Sequence, residues 1–220
     1  MPAVDASQRP VLFFDFDNTV TRGDVLDAVI ERYSATEAWR ECEAEWRDGR
    51  ITTLECLQRQ IGGLRVSEDE LLSFVSTATI DPAFHEIVAW ANRKSLELTI
   101  VSDSFSPLIH RILQANDLRS VRVLANELEF DGDRPRASFP LRDPSCARCA
   151  HCKGRHLREA TARPRIFIGD GLSDVCAALA ADVVFAKDSL AREMTRRAIA
   201  FHRYASLADV RDFLRGRFGD

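Results

Sequence analysis

The apolar positions of this chain fall into short dense runs separated by longer segments of helical period. "VLFF" (residues 11–14), "ELTIVS" (97–102), "RIFIG" (165–169) and "DVVFA" (182–186) are rich in β-branched and aromatic residues, and each gives way to polar or small residues. Such runs predict strands buried on both faces. Between them, "DPAFHEIVAWANRKS" predicts a helix with Asp81 as N-cap and Pro82 in its first turn. Phe84, Ile87, Val88 and Ala91 recur at helical offsets. "SPLIHRILQAND" repeats the grammar with Ser106, Pro107, Ile109, Ile112 and Leu113. Strand and helix in alternation predict an α/β fold, a parallel sheet with helices on both faces, whose ligands bind beyond the carboxyl ends of the strands.

Residues 24–80 break this alternation. They hold no strand candidate but several amphipathic stripes: Leu26, Val29, Ile30 and Tyr33; Trp39, Cys42 and Trp46; Leu54, Leu57 and Ile61. "SEDE" (67–70) predicts a capping box ahead of Leu71, Phe74 and Val75. The segment reads as a small helical cap inserted after the first strand, which leaves residues 1–23 and 81–220 as the core domain. Trp39 and Trp46 are expected to be packing residues. "DGDRPRASFP" (131–140) is turn-rich and predicts a hairpin.

Composition narrows the function classes. With 220 residues, 45% of them hydrophobic, the chain can bury a full core. A formal net charge of −4 supplies no basic field for nucleic acid or an anionic membrane, so any affinity for phosphate rests on local cations. The opening "MPAVDASQRP" lacks the pattern of a secretory signal, and no apolar run approaches a bilayer span. A cytoplasmic chain without a nucleic-acid or membrane partner is expected. Oligomeric state is not encoded in any of these patterns.

Chemistry enters at "LFFDFDNTVT" (12–21), where Asp15 and Asp17 end a strand with two carboxylates on one side. Two such groups repel unless a cation lies between them, and Mg²⁺ takes this kind of hard oxygen donor. A second acidic cluster, "GDGLSD" with Asp170 and Asp174, follows the strand at 165–169, so Asp170 is placed to share an ion with Asp15. Ser102 closes its strand, and Lys153 opens a helical stretch, "KGRHLREAT". Both suit phosphate oxygens.

"DFDNTVT", "VSDS", Lys153 in "CKG" and "GDGLSD", in that order, resemble the four motifs of the haloacid dehalogenase (HAD) superfamily of aspartyl-phosphate hydrolases. The resemblance spans residues 12–174 and implies a Rossmann-like core with a helical cap. It implies Asp15 as nucleophile, Asp17 as general acid and base, and Ser102 and Lys153 as ligands of the transferring phosphoryl group. Mg²⁺ would be held by Asp15, Asp170 and the backbone carbonyl of Asp17, with Asp174 orienting Lys153 or a water on the ion. A hydrogen bond from a backbone group or Thr19 is expected at Asp17. Within the superfamily the chain resembles the group of phosphoserine phosphatase, the methionine-salvage 2-hydroxy-3-keto-5-methylthiopentenyl-1-phosphate phosphatase, and phosphoethanolamine/phosphocholine phosphatase. It departs from phosphoserine phosphatases in having Asp24 where they usually carry Glu, and Ser102-Asp103-Ser104 where they carry Ser-Gly-Gly. "VSDSFSPLI" and the cysteines before Lys153 resemble the other two members more closely, and the methionine-salvage branch is the expectation, with a small phosphomonoester as substrate and Asp24 as the specificity residue. Asp24 equally suits a plain helix N-terminus.

"CARCAHCKG" (146–154) has the two-residue spacing of zinc knuckles in Cys146, Cys149 and Cys152. His156 or a remote residue would complete a tetrahedral Zn²⁺ site, His151 being less suited beside Cys152. The alternative is reduced thiols packed beside the catalytic loop, and Cys42, Cys56 and Cys176 are expected to be core residues. A phosphomonoesterase, or a phosphotransferase using an alcohol acceptor, is thus set against a non-catalytic zinc-binding scaffold. The set Asp15, Asp17, Lys153 and Asp170 favours the enzyme.

Overall fold

The computed structural model describes residues 9–220. The opening residues read above for a signal, 1–8, lie outside that range. Five strands form the parallel centre of one sheet: β1 (Val11–Phe14), β2 (Leu98–Phe105), β3 (Arg122–Asp131), β5 (Arg165–Gly169) and β6 (Val183–Ala186). With β4 (Arg134–Ser138) and β7 (His202–Arg203) at the edges, the order is β4-β3-β2-β1-β5-β6-β7, and only β4 runs antiparallel, to β3. β1 sits between β2 and β5, in register Leu12 to Leu98 and Leu12 to Ile166. All four of its side chains are buried, as expected for a strand covered on both faces.

Helices α5 (Pro82–Arg93), α6 (Ser106–Ala115), α7 (Lys153–Glu159), α8 (Val175–Ala180), α9 (Asp188–Arg196) and α10 (Leu207–Phe218) flank the sheet. Asp81 caps α5 as predicted, accepting a hydrogen bond from the Ala83 N–H. Helices α1 (Val25–Tyr33), α2 (Ala38–Arg47), α3 (Thr53–Gly62) and α4 (Glu68–Val75) follow one another after β1. The ends of that helical stretch are pinned together by an antiparallel bridge between Thr21 and Ile80. Two peptide hydrogen bonds seal it, Arg22 N–H to the Thr79 carbonyl and Asp81 N–H to the Val20 carbonyl.

Several expectations are corrected. β2 runs three residues beyond Ser102, through a register irregularity between Val101 and Phe105. β3, overlooked in the sequence, is a ten-residue strand. It forms the predicted hairpin with β4, turning at Gly132, whose φ of 63° suits a residue without a side chain. Ser67 caps α4 through the Glu70 N–H, but the reciprocal arm of a capping box is not formed. Phe105, not Ser106, precedes the first turn of α6. Trp46 is only half-buried and donates its indole N–H to Thr53 Oγ1 at 3.0 Å. Among the described residues, no helix is long and apolar enough to cross a membrane.

The core under α5 depends on Phe84, which is fully buried and meets Phe14 edge-on at 5.3 Å between ring centroids. Phe84→Ala is expected to cost about 3–5 kcal/mol through lost burial and the residual cavity. The shift of the urea midpoint at unchanged slope measures it.

Candidate active site

The carboxyl ends of β1, β2 and β5 open onto a cavity of about 610 Å³, lined on the sheet side by Asp15, Asp17, Ser102, Lys153 and Asp170. Its opposite wall comes from the helices after β1, with Asp24, Asp27, Glu43 and Trp46. Adjacent parallel strands bring their ends to one edge, which is why residues more than a hundred positions apart meet here.

Lys153, the first residue of α7, is 1% exposed and sits at the centre. Its ammonium lies 2.6 Å from Asp15 Oδ1, 2.7 Å from Asp174 Oδ1 and 3.8 Å from Asp103 Oδ2. Burial alone would lower its pKa. The charges of Asp15, Asp174 and Asp103 outweigh that and hold the ammonium well above its ordinary range. The Asp15 carboxyl is pushed well up by burial and by Asp174, with Lys153 opposing. Asp170 is likewise raised, by burial and then by Asp174.

Asp174 is completely buried and uses both oxygens. Oδ1 takes Lys153, while Oδ2 accepts the N–H groups of Asp170 at 3.0 Å and Gly171 at 3.1 Å. Gly169 makes room for this arrangement, since a Cβ there would run into Asp174 Oδ2.

Carboxylate oxygens of Asp15, Asp170 and Asp174 lie within 4.8 Å of one another. Asp15, Asp174 and Asp103 stand around the one ammonium, and Asp170 adds a further carboxylate beside Asp15 and Asp174. Hard oxygen donors with surplus negative charge are the donor set a divalent ion such as Mg²⁺ requires, so these residues fit it. The Asp17 side chain stands apart from the group. Its Oδ1 accepts from the Val25 N–H at 3.0 Å and the Leu26 N–H at 3.2 Å, at the start of α1. Burial outweighs those bonds and raises Asp17 to about 6. Thr19, expected at Asp17, instead donates to Asp170 Oδ1 at 3.2 Å. Ser102 is buried and accepts from the Ser104 N–H at 3.0 Å, leaving its own proton to donate.

Asp24 caps α1 through the Asp27 N–H, as the helix N-terminus reading expects, and also lines the cavity. Its carboxylate opens to the cavity, yet loss of surrounding water and the charge of Asp17 push its pKa to about 7. Three site residues escaped the sequence reading. Asp103 accepts from the His151 N–H at 3.1 Å beside Lys153, Asn18 donates to Asp170 Oδ2 at 2.8 Å, and Asp188 Oδ2 shares the Asn18 amide at 3.2 Å. The "VSDS" and "DFDNT" stretches carried the signal for the first two, because each residue follows an active position directly.

The sulfurs of Cys146, Cys149 and Cys152 gather within 4.8 Å of one another. His156 does not join them. Its Nε2 lies 2.7 Å from Nε2 of His151, whose Nδ1 lies 2.8 Å from the Ser102 carbonyl. Because that carbonyl only accepts, the His151 proton sits on Nδ1 and His156 donates to the free Nε2. Cys176 is no core residue either: half-buried, it faces Cys149 with 3.7 Å between sulfurs.

Residues 10–206 match the family model described as Putative Phosphatase. The chain is similar to the 2-hydroxy-3-keto-5-methylthiopentenyl-1-phosphate phosphatase of Brevibacillus brevis, 29% identical over 210 residues, covering 93% of this chain and 94% of the relative. The protein of that name from Geobacillus kaustophilus is 29% identical over 215 residues, with 94% and 96% covered. Among solved structures, the fold is similar to a phospho-aspartyl intermediate analogue of phosphoserine phosphatase, with a TM-score of 0.71 and 14% identity over 94% of this chain and 98% of that one. A HAD family hydrolase from Salmonella enterica serovar Typhi gives a TM-score of 0.74 and 16% identity, covering 98% and 74%. The family match spans most of the chain and the fold agrees with it: the chain belongs to the family described as Putative Phosphatase.

Proposed function

We propose that the protein is a Mg²⁺-dependent phosphomonoesterase that cleaves a small phosphorylated metabolite through an aspartyl phosphate on Asp15. The observation that carries this reading is the convergence of Asp15, Asp170, Asp174 and Lys153, from three distant segments, on one buried point beneath the cavity. When bound by Asp15, Asp170 and the Asp17 carbonyl, Mg²⁺ supplies the positive charge that lets an anionic nucleophile approach an anionic ester. Lys153 spends two of its three N–H bonds on Asp15 and Asp174, and the third is free for a phosphoryl oxygen. Ser102 donates its hydroxyl proton to another.

An Asp15 carboxylate oxygen attacks phosphorus as the bond from phosphorus to the leaving oxygen breaks, and Asp17 gives that oxygen its proton. Asp17, now a carboxylate, removes a proton from the water that attacks the aspartyl phosphate. The bond from phosphorus to Asp15 breaks, phosphate leaves, and both carboxyl groups return to their starting states. Asp174 acts by orienting Lys153. Residues 24–80 serve as a cap over residues 9–23 and 81–220, covering the site and selecting the substrate.

The methionine-salvage phosphatases among the relatives support a phosphorylated methylthio-sugar as substrate. A second reading, a phosphomonoester with an ammonium group such as phosphoethanolamine, phosphocholine or phosphoserine, is favoured by the acidic cavity wall of Asp24, Asp27 and Glu43 beside Trp46. Arg47 pairs with Glu43, while Asp24 and Asp27, both raised to about 7 by burial and neighbouring carboxylates, face no ion-pair partner among the described residues and would be driven to their charged forms by an ammonium group.

Wild-type protein should hydrolyse a generic aryl phosphate only with Mg²⁺, and lose turnover with a chelator. Asp15→Asn should lower kcat by on the order of 10³-fold or more, as removal of a covalent nucleophile does. Turnover that ignores both changes would overturn the mechanism, and absence of metal-dependent turnover across a broad phosphate panel would favour a scaffold. Across methylthio-sugar phosphates, phosphoserine, phosphocholine and phosphoethanolamine, Asp24→Asn should lower kcat/KM for the preferred ester by roughly 10- to 100-fold, the worth of one charge-assisted hydrogen bond. Aryl phosphate hydrolysis, which makes no such contact, should change little. Equal losses on both would remove Asp24 from substrate selection.

A further inference from the structure

We propose that Cys146, Cys149, Cys152 and Cys176 form a four-thiolate structural zinc site that ties the loop before Lys153 to the start of α8. The fourth ligand is a residue that the knuckle spacing does not indicate, 27 positions from Cys149 and on another element.

Geometry and donor chemistry carry this. Zinc held at about 2.3 Å by four sulfurs at tetrahedral angles separates them by roughly 3.8 Å. The Cys149 and Cys176 sulfurs are 3.7 Å apart, and those of Cys146, Cys149 and Cys152 lie within 4.8 Å of one another. Cys176 thus meets the group through Cys149. All six cysteines are free thiols. The other cysteine pair, Cys42 and Cys56, is also in contact at 3.4 Å, but belongs to no metal-capable group among the described residues. Contact between two thiols is therefore ordinary in this chain, and a group of three with a fourth thiol against one of its members is the distinguishing feature; zinc would draw Cys176 in toward the others.

The approach of α7 to α8 is built for that meeting. Gly154 lies against the Cys176 carbonyl so closely that a Cβ would collide with it. Four thiolates around one Zn²⁺ leave a net charge of −2; the Arg158 guanidinium, paired with Asp143 at 3.3 Å, also favours the charged forms of Cys152 and Cys176. Each thiol gives up its proton to solvent on binding, with no change of oxidation state. The site has four ligands and no open position, as structural zinc sites do.

The consequence reaches the catalytic ammonium. Cys152 immediately precedes Lys153, and Cys176 stands two residues after Asp174. A metal across those cysteines fixes the two segments whose side chains meet at 2.7 Å. The same loop also touches the helices over the cavity, where the Arg148 carbonyl accepts from the Thr53 N–H at 3.0 Å.

The test reads metal and spectra, not turnover, so it stands apart from the phosphatase reading. Full-length protein purified under reducing conditions without chelator should carry one zinc per chain by elemental analysis. After replacement by Co²⁺ it should show thiolate-to-cobalt charge-transfer absorption with the intensity of four sulfurs. Cys176→Ser should weaken zinc by on the order of a hundredfold in competition with a chromogenic chelator, and lower Tm. Cys42→Ser and His156→Ala should keep wild-type affinity. Should Cys176→Ser fail to fold, the wild-type cobalt spectrum still decides between four sulfurs and fewer. Protein that neither carries nor takes up zinc, affinity indifferent to Cys176→Ser, a three-sulfur spectrum, or an intact mass showing a Cys149–Cys176 disulfide under reducing conditions would each overturn the proposal.

Discussion

A buried ammonium among carboxylates is the constraint around which the rest of this structure is arranged. A lone charge at 1% exposure is costly, and Lys153 is tolerable only because Asp15 and Asp174 touch it and Asp103 stands close. The dependence runs both ways, since those carboxylates would otherwise repel one another at close range. Three segments must arrive together: the end of β1, the start of α7 and the turn after β5. The sheet order delivers the first and third by placing β1 beside β5. α7 must be brought in from outside the sheet, and the absence of a side chain at Gly154 lets it seat against α8.

The proton-handling candidate is held differently from the charge cluster. Asp17 is anchored on the first N–H groups of α1, the leading helix over the cavity, and not on the sheet. Peptide N–H donors favour its charged form while burial favours the neutral one, and the outcome near 6 leaves both forms accessible around neutral pH. Its surroundings therefore depend on where α1 sits. The Thr21–Ile80 bridge pins the chain where this helical stretch begins and ends, close in sequence to both Asp17 and α1.

Legibility in the sequence followed the physical reach of each signal. β1 and β5 were readable residue for residue because buried parallel strands leave unbroken apolar runs. β3 was missed because its outer half alternates exposed and buried residues around a polar centre, and the turn at Gly132 drew the reading to the hairpin instead. β7, two residues long, leaves no periodic trace. The acidic motifs were legible because chemistry fixes their spacing. Their partners were less so: Asp103 and Asn18 belong to the motifs but acquire meaning only when Lys153 and Asp170 arrive from elsewhere. Trp46 sat in an apolar stripe, yet helical period does not reveal which side of α2 faces a cavity.

Cys176 marks the far limit of such reading. Within its own helix it looks like any small apolar residue, and its relation to Cys149 exists only through the packing of α7 on α8. The same packing sets the distance from Lys153 to Asp174, so the thiol cluster and the charge cluster are consequences of one helix contact. A fold with a small buried cation at its centre gains from a second constraint on the element that carries it, because α7 has only seven residues and no side-chain N-cap of its own. The cysteine loop stands where such a constraint would act, between the lysine, α8 and the Thr53 end of α3.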